Sequence, residues 1–211
     1  MKDMRYIGIT LVLIFLTLSS SFGQVRSNKK QRATWTFSMG PSIGLMDGTR
    51  FSPTTMGAMF EPRLIFGSMG RHSSASLGMP LMIYSFKQSY GVDSIITNGF
   101  TVNMPFVFDF NFYHGAFKNT NNRIGIYFGA GWNFNYTSFG ISNREGVKEN
   151  YGGLNHGVYT NGGIKFGFPS GVSFDIKVYA SLTFKTPELT LYGVALLYNF
   201  GMRKKRGGTW Y

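Results

Sequence analysis

Residues 100–112 read FTVNMPFVFDFNF and alternate between two kinds of side chain. Every even-numbered position holds a large apolar residue, whereas most odd-numbered positions hold a polar or small one. A period of two is typical of a β-strand whose faces meet different surroundings. One face of this strand therefore needs a long apolar environment, and the other must accommodate Asp109.

The same alternation recurs in seven other segments that are separated by turns or loops. They are 34–45, 55–67, 74–84, 124–137, 154–168, 172–184 and 190–202. Segment 154–168 is the least regular, because His156, Thr160 and Gly162 interrupt its apolar face. No helical period competes over a comparable length, so the pattern predicts an all-β protein of eight antiparallel strands.

The position of the charges separates two kinds of barrel. A soluble lipid-binding barrel needs charges on its outer face, whereas a membrane barrel turns apolar residues to lipid and polar residues inward. In the eight segments the apolar face has no Lys, Arg, Asp or Glu, and the other face is rich in Gly, Ser, Thr and Asn. A tilted membrane strand needs about 9 to 11 residues, and lipid cannot satisfy a free strand edge. Residues 33–202 are therefore predicted to form an eight-stranded antiparallel up-and-down transmembrane β-barrel.

Four prolines lie inside these segments, at positions 41, 62, 80 and 105. Proline lacks the N–H donor of a strand ladder, so local bulges are expected at Pro41, Pro62, Pro80 and Pro105.

The N-terminal residues resemble a secretory signal. Residues 1–23 combine the basic Lys2 and Arg5 with an apolar run over 7–18 and small residues before Gln24. The alternative is a membrane anchor, but the run is shorter than the roughly 20 residues of a spanning helix. The chain has no cysteine, which excludes disulfides and thiolate metal sites.

The shortest connection between segments indicates the orientation of the barrel. Short turns of outer-membrane barrels face the periplasm, and the PSG turn at 169–171 is the tightest here. Because the number of strands is even, both termini are predicted to be periplasmic. The outer loops then run over 46–54, 85–99, 138–153 and 185–189.

The formal net charge is +12, and the excess is predicted to lie on the periplasmic side, because the outer loops and the lumen each balance. A basic segment, 24–32, precedes the barrel and a basic tail, 203–211, follows it. Together they form a predicted basic patch of Arg26, Lys29, Lys30, Arg32, Arg203, Lys204, Lys205 and Arg206. A periplasmic location excludes nucleic acid and favours an anionic partner: a protein, lipid phosphate or peptidoglycan. The alternative is a solvated tail.

Six charges fall on the inner face, three of each sign: Glu61, Arg63, Asp109, Lys165, Asp175 and Lys177. The bore of an eight-stranded barrel is just wide enough for side chains to fill it. An ion-pair network is therefore expected, with Glu61–Arg63 as its first pair and with Lys165 and Lys177 as partners of Asp109. The alternative is an ion path through the lumen.

Catalytic candidates are few. His156 with Thr160 and Asn161 faintly resembles the histidine and hydroxyl pair of lipid A deacylases, but a nucleophile needs an oriented base and a carboxylate partner, and the lipid face provides none. A structural interfacial histidine is favoured. His72 and His114 fall in turns without matching carboxylates, so no metal site and no cofactor are predicted.

The signal ending in FGQ, the eight alternating segments and the final strand LYGVALLYNF at 191–200 resemble the small outer-membrane β-barrels of Bacteroidota, often grouped as PorT-like. The chain is more distantly similar to OmpX and to the membrane domain of OmpA. The resemblance implies a Gram-negative outer-membrane location among outer-membrane lipids. It also implies that Tyr198 and Phe200 are read by the barrel-assembly machinery. Some relatives serve in protein secretion across the outer membrane.

These observations predict a non-enzymatic outer-membrane barrel with a filled lumen that acts as a scaffold or accessory subunit of a secretion or envelope assembly. The alternatives are a small pore for ions or small solutes and a lipid-A-modifying enzyme.

Overall fold

The computed structural model describes residues 34–48, 52–68, 73–90, 95–113, 123–142, 148–168, 172–184 and 189–200. These ranges contain nine strands: β1 Thr34–Gly48, β2 Thr54–Ser68, β3 Ser73–Gly78, β4 Leu81–Tyr90, β5 Ile95–Tyr113, β6 Ile124–Ser142, β7 Lys148–Gly167, β8 Ser173–Thr183 and β9 Leu189–Phe200. No helix in these ranges is long and apolar enough to cross a membrane.

The strands form one closed antiparallel ring. β1 pairs with β2 on one side and with β9 on the other, which closes the sheet. β3 and β4 both pair with β2 and with β5, so they are two halves of one strand position. The ring therefore has eight positions. The predicted all-β, eight-stranded up-and-down barrel is confirmed.

The prolines disturb the ladder less than expected. Pro62 and Pro105 lie in register, and the β1–β9 ladder skips Gly40 and Pro41 and resumes unchanged. Pro80 separates β3 from β4 without shifting the register of either against β2. The expectation of bulges at the prolines is therefore wrong, because a missing donor removes one ladder bond and leaves the neighbouring pairs in place.

The register does shift elsewhere on β2. The irregularity lies between Phe66 and Ser68, opposite β3. No proline is adjacent to it, so the alternation of the sequence did not predict this bulge.

Two hairpins extend further than predicted. Segments 85–99 and 138–153 were expected to be loops, yet β4 continues to Tyr90, β5 begins at Ile95, and β6 and β7 pair as far as Ser142 and Lys148. β5 and β6 also stay paired to Ile96 and Ser142. Each strand was predicted to end where its apolar alternation ends. That alternation reports contact with lipid, whereas backbone pairing continues beyond it.

The outer face of the barrel is apolar, whereas the charged residues of the eight predicted segments lie inside. Large hydrophobic side chains are exposed around the wall, such as Trp35 at 58% and Leu154 at 66%, whereas all six inner charges are at most 2% exposed. An apolar surface this extensive is far larger than a soluble monomer presents to water. Lipid is the solvent that suits it.

Inward tyrosines are paired with glycines on the neighbouring strands. The pairs are Tyr84–Gly57, Tyr127–Gly163, Tyr159–Gly131 and Tyr179–Gly193. A Cβ at Gly163 would lie 2.6 Å from the hydroxyl of Tyr127, and one at Gly193 would collide with the ring of Tyr179. Gly163 and Gly193 therefore leave the space that the side chains of Tyr127 and Tyr179 occupy.

Candidate functional site

The lumen contains a layer of charge near the terminal end of the barrel, the end at which β1 begins and β9 ends. We call this the ionic layer. It comprises Glu61 and Arg63 of β2, Asp109 of β5, Tyr127 of β6, Lys165 of β7, and Asp175 and Lys177 of β8. The six inner charges that the sequence indicated all lie in it. All six are buried. They come from four strands, and Tyr127 adds a fifth.

A chain of ion pairs crosses this layer. Arg63 Nη2 lies 2.9 Å from Glu61 Oε1, and its Nε lies 3.4 Å from Asp109 Oδ2. Lys177 Nζ lies 2.8 Å from the same Glu61 oxygen. The chain joins β5, β2 and β8 through two carboxylates and two cations, so its charge is balanced. Balance matters because an unpaired buried charge is costly.

Asp109 has a different partner from the one expected. Arg63 takes this position, while Lys177 pairs with Glu61 and Lys165 donates to Asn111 Oδ1 at 3.0 Å.

The sheet register explains this choice. Arg63 is opposite Gly78, which is opposite Val107, so Arg63 lies two residues from Asp109 along β5. Lys165 is level with Tyr113, four residues away from Asp109. The sequence predicted which face of its strand each residue occupies. It did not predict the height of the residue, that is, its position along the barrel axis relative to residues of a distant strand.

Tyr127 is the centre of the ionic layer, although it was not among the predicted site residues. Its hydroxyl donates to Asp175 Oδ1 at 2.9 Å. Arg63 Cζ and Lys165 Nζ lie 4.8 and 4.7 Å from the centroid of its ring, and Lys177 Nζ lies 5.8 Å away. Cations at these distances are attracted by the ring quadrupole. The sequence signal that could have identified Tyr127 is its position on the inner face of β6, between the small inner residues Gly125 and Gly129.

Two glycines make room for the carboxylates. A Cβ at Gly78 would lie 3.1 Å from Glu61 Oε1, and one at Gly129 would overlap Asp109 Oδ1. Larger residues at these positions would displace the acidic side chains, so the ionic layer depends on residues that carry no charge.

A second layer lies beside the first and extends toward the far end of the barrel, with Ala195 and Leu197 directly opposite Lys177 and Asp175. We call it the aromatic layer. It comprises Met46, Met59, Met82, Tyr84, Phe86, Val107, Tyr159, Tyr179, Leu191, Ala195 and Leu197. Met59, Val107 and Tyr179 each lie two positions from an ionic-layer residue along the same strand. The inner face was predicted to be rich in Gly, Ser, Thr and Asn, and a layer of large apolar side chains across it was not predicted.

One hydrogen bond spans the aromatic layer. The hydroxyls of Tyr84 and Tyr179 are 2.5 Å apart, and β4 and β8 occupy opposite positions of the eight-membered ring. The ring of Tyr159 stacks on Tyr179 with centroids 6.2 Å apart. The side chains of Tyr84, Tyr159 and Tyr179 therefore reach across the lumen at this level.

A cluster of asparagine side chains lies on the inner face of β5 and β6. Asn133 Nδ2 donates to Asn103 Oδ1 at 3.1 Å and to Ser181 Oγ at 2.6 Å. Asn135 Nδ2 donates to the same Asn103 oxygen at 2.5 Å. The contact with Ser181 reaches β8, so this cluster also crosses part of the lumen.

His156 lies in an aromatic cluster on the outer face. Its ring stacks on Trp132, with centroids 5.6 Å apart, and meets Phe184 edge-on at 6.4 Å. Thr160 also points outward, whereas Asn161 is buried on the inner side of the wall. The wall therefore separates Asn161 from His156 and Thr160.

Within the described ranges no group of three His, Asp or Glu side chains could hold a metal ion. His72 and His114 lie outside those ranges.

The two ends of the chain are only partly described. The predicted basic patch lies outside the described residues, so its role stays a prediction; its members are Arg26, Lys29, Lys30, Arg32, Arg203, Lys204, Lys205 and Arg206. Tyr198 and Phe200 point outward on β9, with ring centroids 4.6 Å apart, and pair with Met39 and Phe37 at the seam that closes the barrel. Their recognition by the assembly machinery also stays a prediction.

Comparison with solved structures gives the fold. Neisserial surface protein A has a TM-score of 0.53 at 12% identity, over 80% of this chain and 98% of that one. A major outer membrane protein of Thermus thermophilus has a TM-score of 0.51 at 12% identity, over 79% and 100%. Ail, the attachment invasion locus protein of Yersinia pestis, in complex with the heparin analogue sucrose octasulfate, has a TM-score of 0.51 at 12% identity, over 81% and 100%.

This is the fold of the small outer-membrane β-barrels. No family model matches the chain. No curated protein matches it either. Membership of the PorT-like group of Bacteroidota stays a prediction.

Proposed function

We propose that the protein is a non-enzymatic outer-membrane barrel with a sealed lumen that acts as a scaffold or accessory subunit of a secretion or envelope assembly. The observation that supports this most is the presence of two adjacent closures. Lys177–Glu61 joins β8 to β2 in the ionic layer, and Tyr84–Tyr179 joins β4 to β8 in the aromatic layer.

A sealed lumen argues against the alternative of a small pore. An ion that crossed the barrel would have to separate the buried pair Lys177–Glu61 and displace the tyrosine contact. Breaking a buried pair leaves an uncompensated charge, which costs about 3–5 kcal/mol. An eight-stranded barrel has no spare width in which an ion could pass beside these side chains.

A barrel without a conducting path acts through its surfaces. We propose that both termini are periplasmic and that the basic patch binds an anionic partner there: a protein, lipid phosphate or peptidoglycan. Each Lys or Arg near an anionic surface contributes about 1 kcal/mol, so eight of them provide a substantial attraction. The excess of basic residues outside the barrel segments supports this proposal.

Planar-bilayer recording tests the sealed lumen. The refolded wild-type barrel is expected to show little steady current, with a large porin in the same bilayer as the positive control. A sustained single-channel current from the wild-type barrel would favour the pore.

Co-sedimentation with purified peptidoglycan and with anionic vesicles tests the scaffold. A variant in which Arg203, Lys204, Lys205 and Arg206 are replaced by Gln is expected to be retained several-fold less at low salt. Equal retention of both proteins would contradict a binding role for the tail. The Lys87→Gln variant is the control, because Lys87 is an exposed cation toward the far end of the barrel.

A further inference from the structure

The side chains of Asp109 and Asn161 lie close together inside the barrel, and each has polar atoms without a hydrogen-bond partner. Asp109 is fully buried and Asn161 is 8% exposed. They lie in one row of the sheet, with Gly129 between them as the cross-strand neighbour of both. An ideal Cβ on Gly129 would be 2.7 Å from Asn161 Oδ1 and would overlap Asp109 Oδ1. Both oxygens therefore lie over the same glycine.

Neither oxygen has a hydrogen-bond donor among the described residues. Asp109 Oδ1 and both side-chain amide atoms of Asn161 are buried without a hydrogen bond. Asp109 Oδ2 has only the 3.4 Å ion pair with Arg63 Nε. In this amide orientation Asn161 Oδ1, and not Nδ2, is turned toward Asp109, so the two acceptors need a donor between them. A buried polar atom without a partner loses its hydration without compensation.

The charge of the surroundings selects the kind of donor. The chain from Asp109 through Arg63 and Glu61 to Lys177 is already balanced. A bound metal ion would add a positive charge without a counter-charge of its own. A water molecule adds none and supplies two O–H donors to the two oxygens, as buried waters commonly do.

We propose that an ordered water molecule is bound over Gly129 and donates to Asp109 Oδ1 and Asn161 Oδ1. Asn161 is opposite Tyr179 of the aromatic layer. Val107, another residue of that layer, lies next to Asp109 on the inner face of β5. The aromatic layer therefore covers the site on the side toward the far end. The ionic layer covers it on the other. The water is enclosed between two closures and belongs to no continuous aqueous path.

Crystallography tests the ligand directly. Crystals of the refolded barrel, grown in sodium and after exchange into rubidium, are compared at a resolution at which ordered water is visible. A peak over Gly129 without rubidium anomalous signal is expected. An anomalous peak would identify a cation and overturn the proposal. A direct bond from Asn161 Nδ2 to Asp109 with no peak between them would overturn it as well.

A glycine pair tests the site in solution. Gly129→Ala places a methyl group where the Asp109 oxygen lies, so the urea midpoint of unfolding is expected to fall. Gly153→Ala in β7 is the matched control, since nothing lies within 4 Å of its Cβ. Equal midpoints for the two variants would contradict a built site.

A second variant covers the case in which Gly129→Ala does not fold. Asn161→Leu keeps the size of the side chain but removes one ligand of the water. The crystal peak over Gly129 and part of the urea stability should then be lost together. Retention of the peak at full occupancy would overturn the role of Asn161.

Discussion

The ionic layer and the aromatic layer cross the same lumen by different physical means. In the ionic layer each charged group depends on a particular partner, as Lys177 does on Glu61 at 2.8 Å. In the aromatic layer apolar volume fills the bore, and the hydrogen bond between Tyr84 and Tyr179 spans it. Removing one partner of a buried charge pair is severe, whereas apolar packing tolerates changes that conserve volume. Stability and closure of the barrel are therefore expected to depend on the two layers to different degrees.

Among changes to a single ion pair, the largest effect is expected from Lys177→Met, which keeps the length of the side chain and removes its charge. Glu61 would retain only Arg63, which Asp109 shares, so the free energy of unfolding should fall by about 3–5 kcal/mol. Urea unfolding in lipid vesicles measures it. Lys87→Met is the matched control, because Lys87 is exposed. The Glu61→Gln and Lys177→Met double variant should recover part of the loss. Unchanged stability and conductance in Lys177→Met would exclude a network.

Two substitutions of Tyr127 distinguish the contribution of its hydrogen bond from that of its cation–π contacts in the ionic layer. Tyr127→Phe removes the donor to Asp175 and should cost about 1–3 kcal/mol, since it leaves a buried carboxylate oxygen unpaired. Tyr127→Leu also removes the ring beside Arg63 and Lys165 and should cost about 2 kcal/mol more. Urea unfolding of both variants provides the measurement. Equal losses would show that the ring has no electrostatic role.

The aromatic layer should respond more weakly. Tyr84→Phe and Tyr179→Phe each remove the same hydroxyl contact and should cost about 0.5–1.5 kcal/mol, with little further loss in the double variant. Planar-bilayer current should stay low in all three, because the rings and the ionic layer persist. Additive losses in urea unfolding would mean that the two hydroxyls act independently, and sustained current would show that this one contact seals the barrel.

A loss as small as that of the two Tyr→Phe variants is expected outside the lumen, at His156. Replacement by Ala removes the stacking on Trp132 and should cost about 0.5–1.5 kcal/mol. Mass spectrometry of lipid A from cells with and without His156→Ala is expected to show the same species. Loss of a deacylated species in the variant would revive the enzyme alternative.

Much of the fold could be predicted, because the inner and outer positions of a strand alternate in the sequence. The Glu61–Arg63 pair could be anticipated as well, since the two residues share one face of one strand. The pairing of Asp109 with Arg63 could not, because it depends on register across β3. Tyr127 was missed because its partners come from three other strands.

The sequence by itself determined the side of the wall on which each residue lies, because side chains in a strand point alternately to opposite faces. It thereby determined that the charged side chains of the eight alternating segments lie inside the barrel and the large apolar side chains of their opposite face lie outside. The tertiary structure alone decided which inner residues meet. Closure of the ring sets the relative heights of strands that do not touch, and those heights bring Lys177 to Glu61 and Tyr84 to Tyr179. Alternation along one strand contains no information about that height.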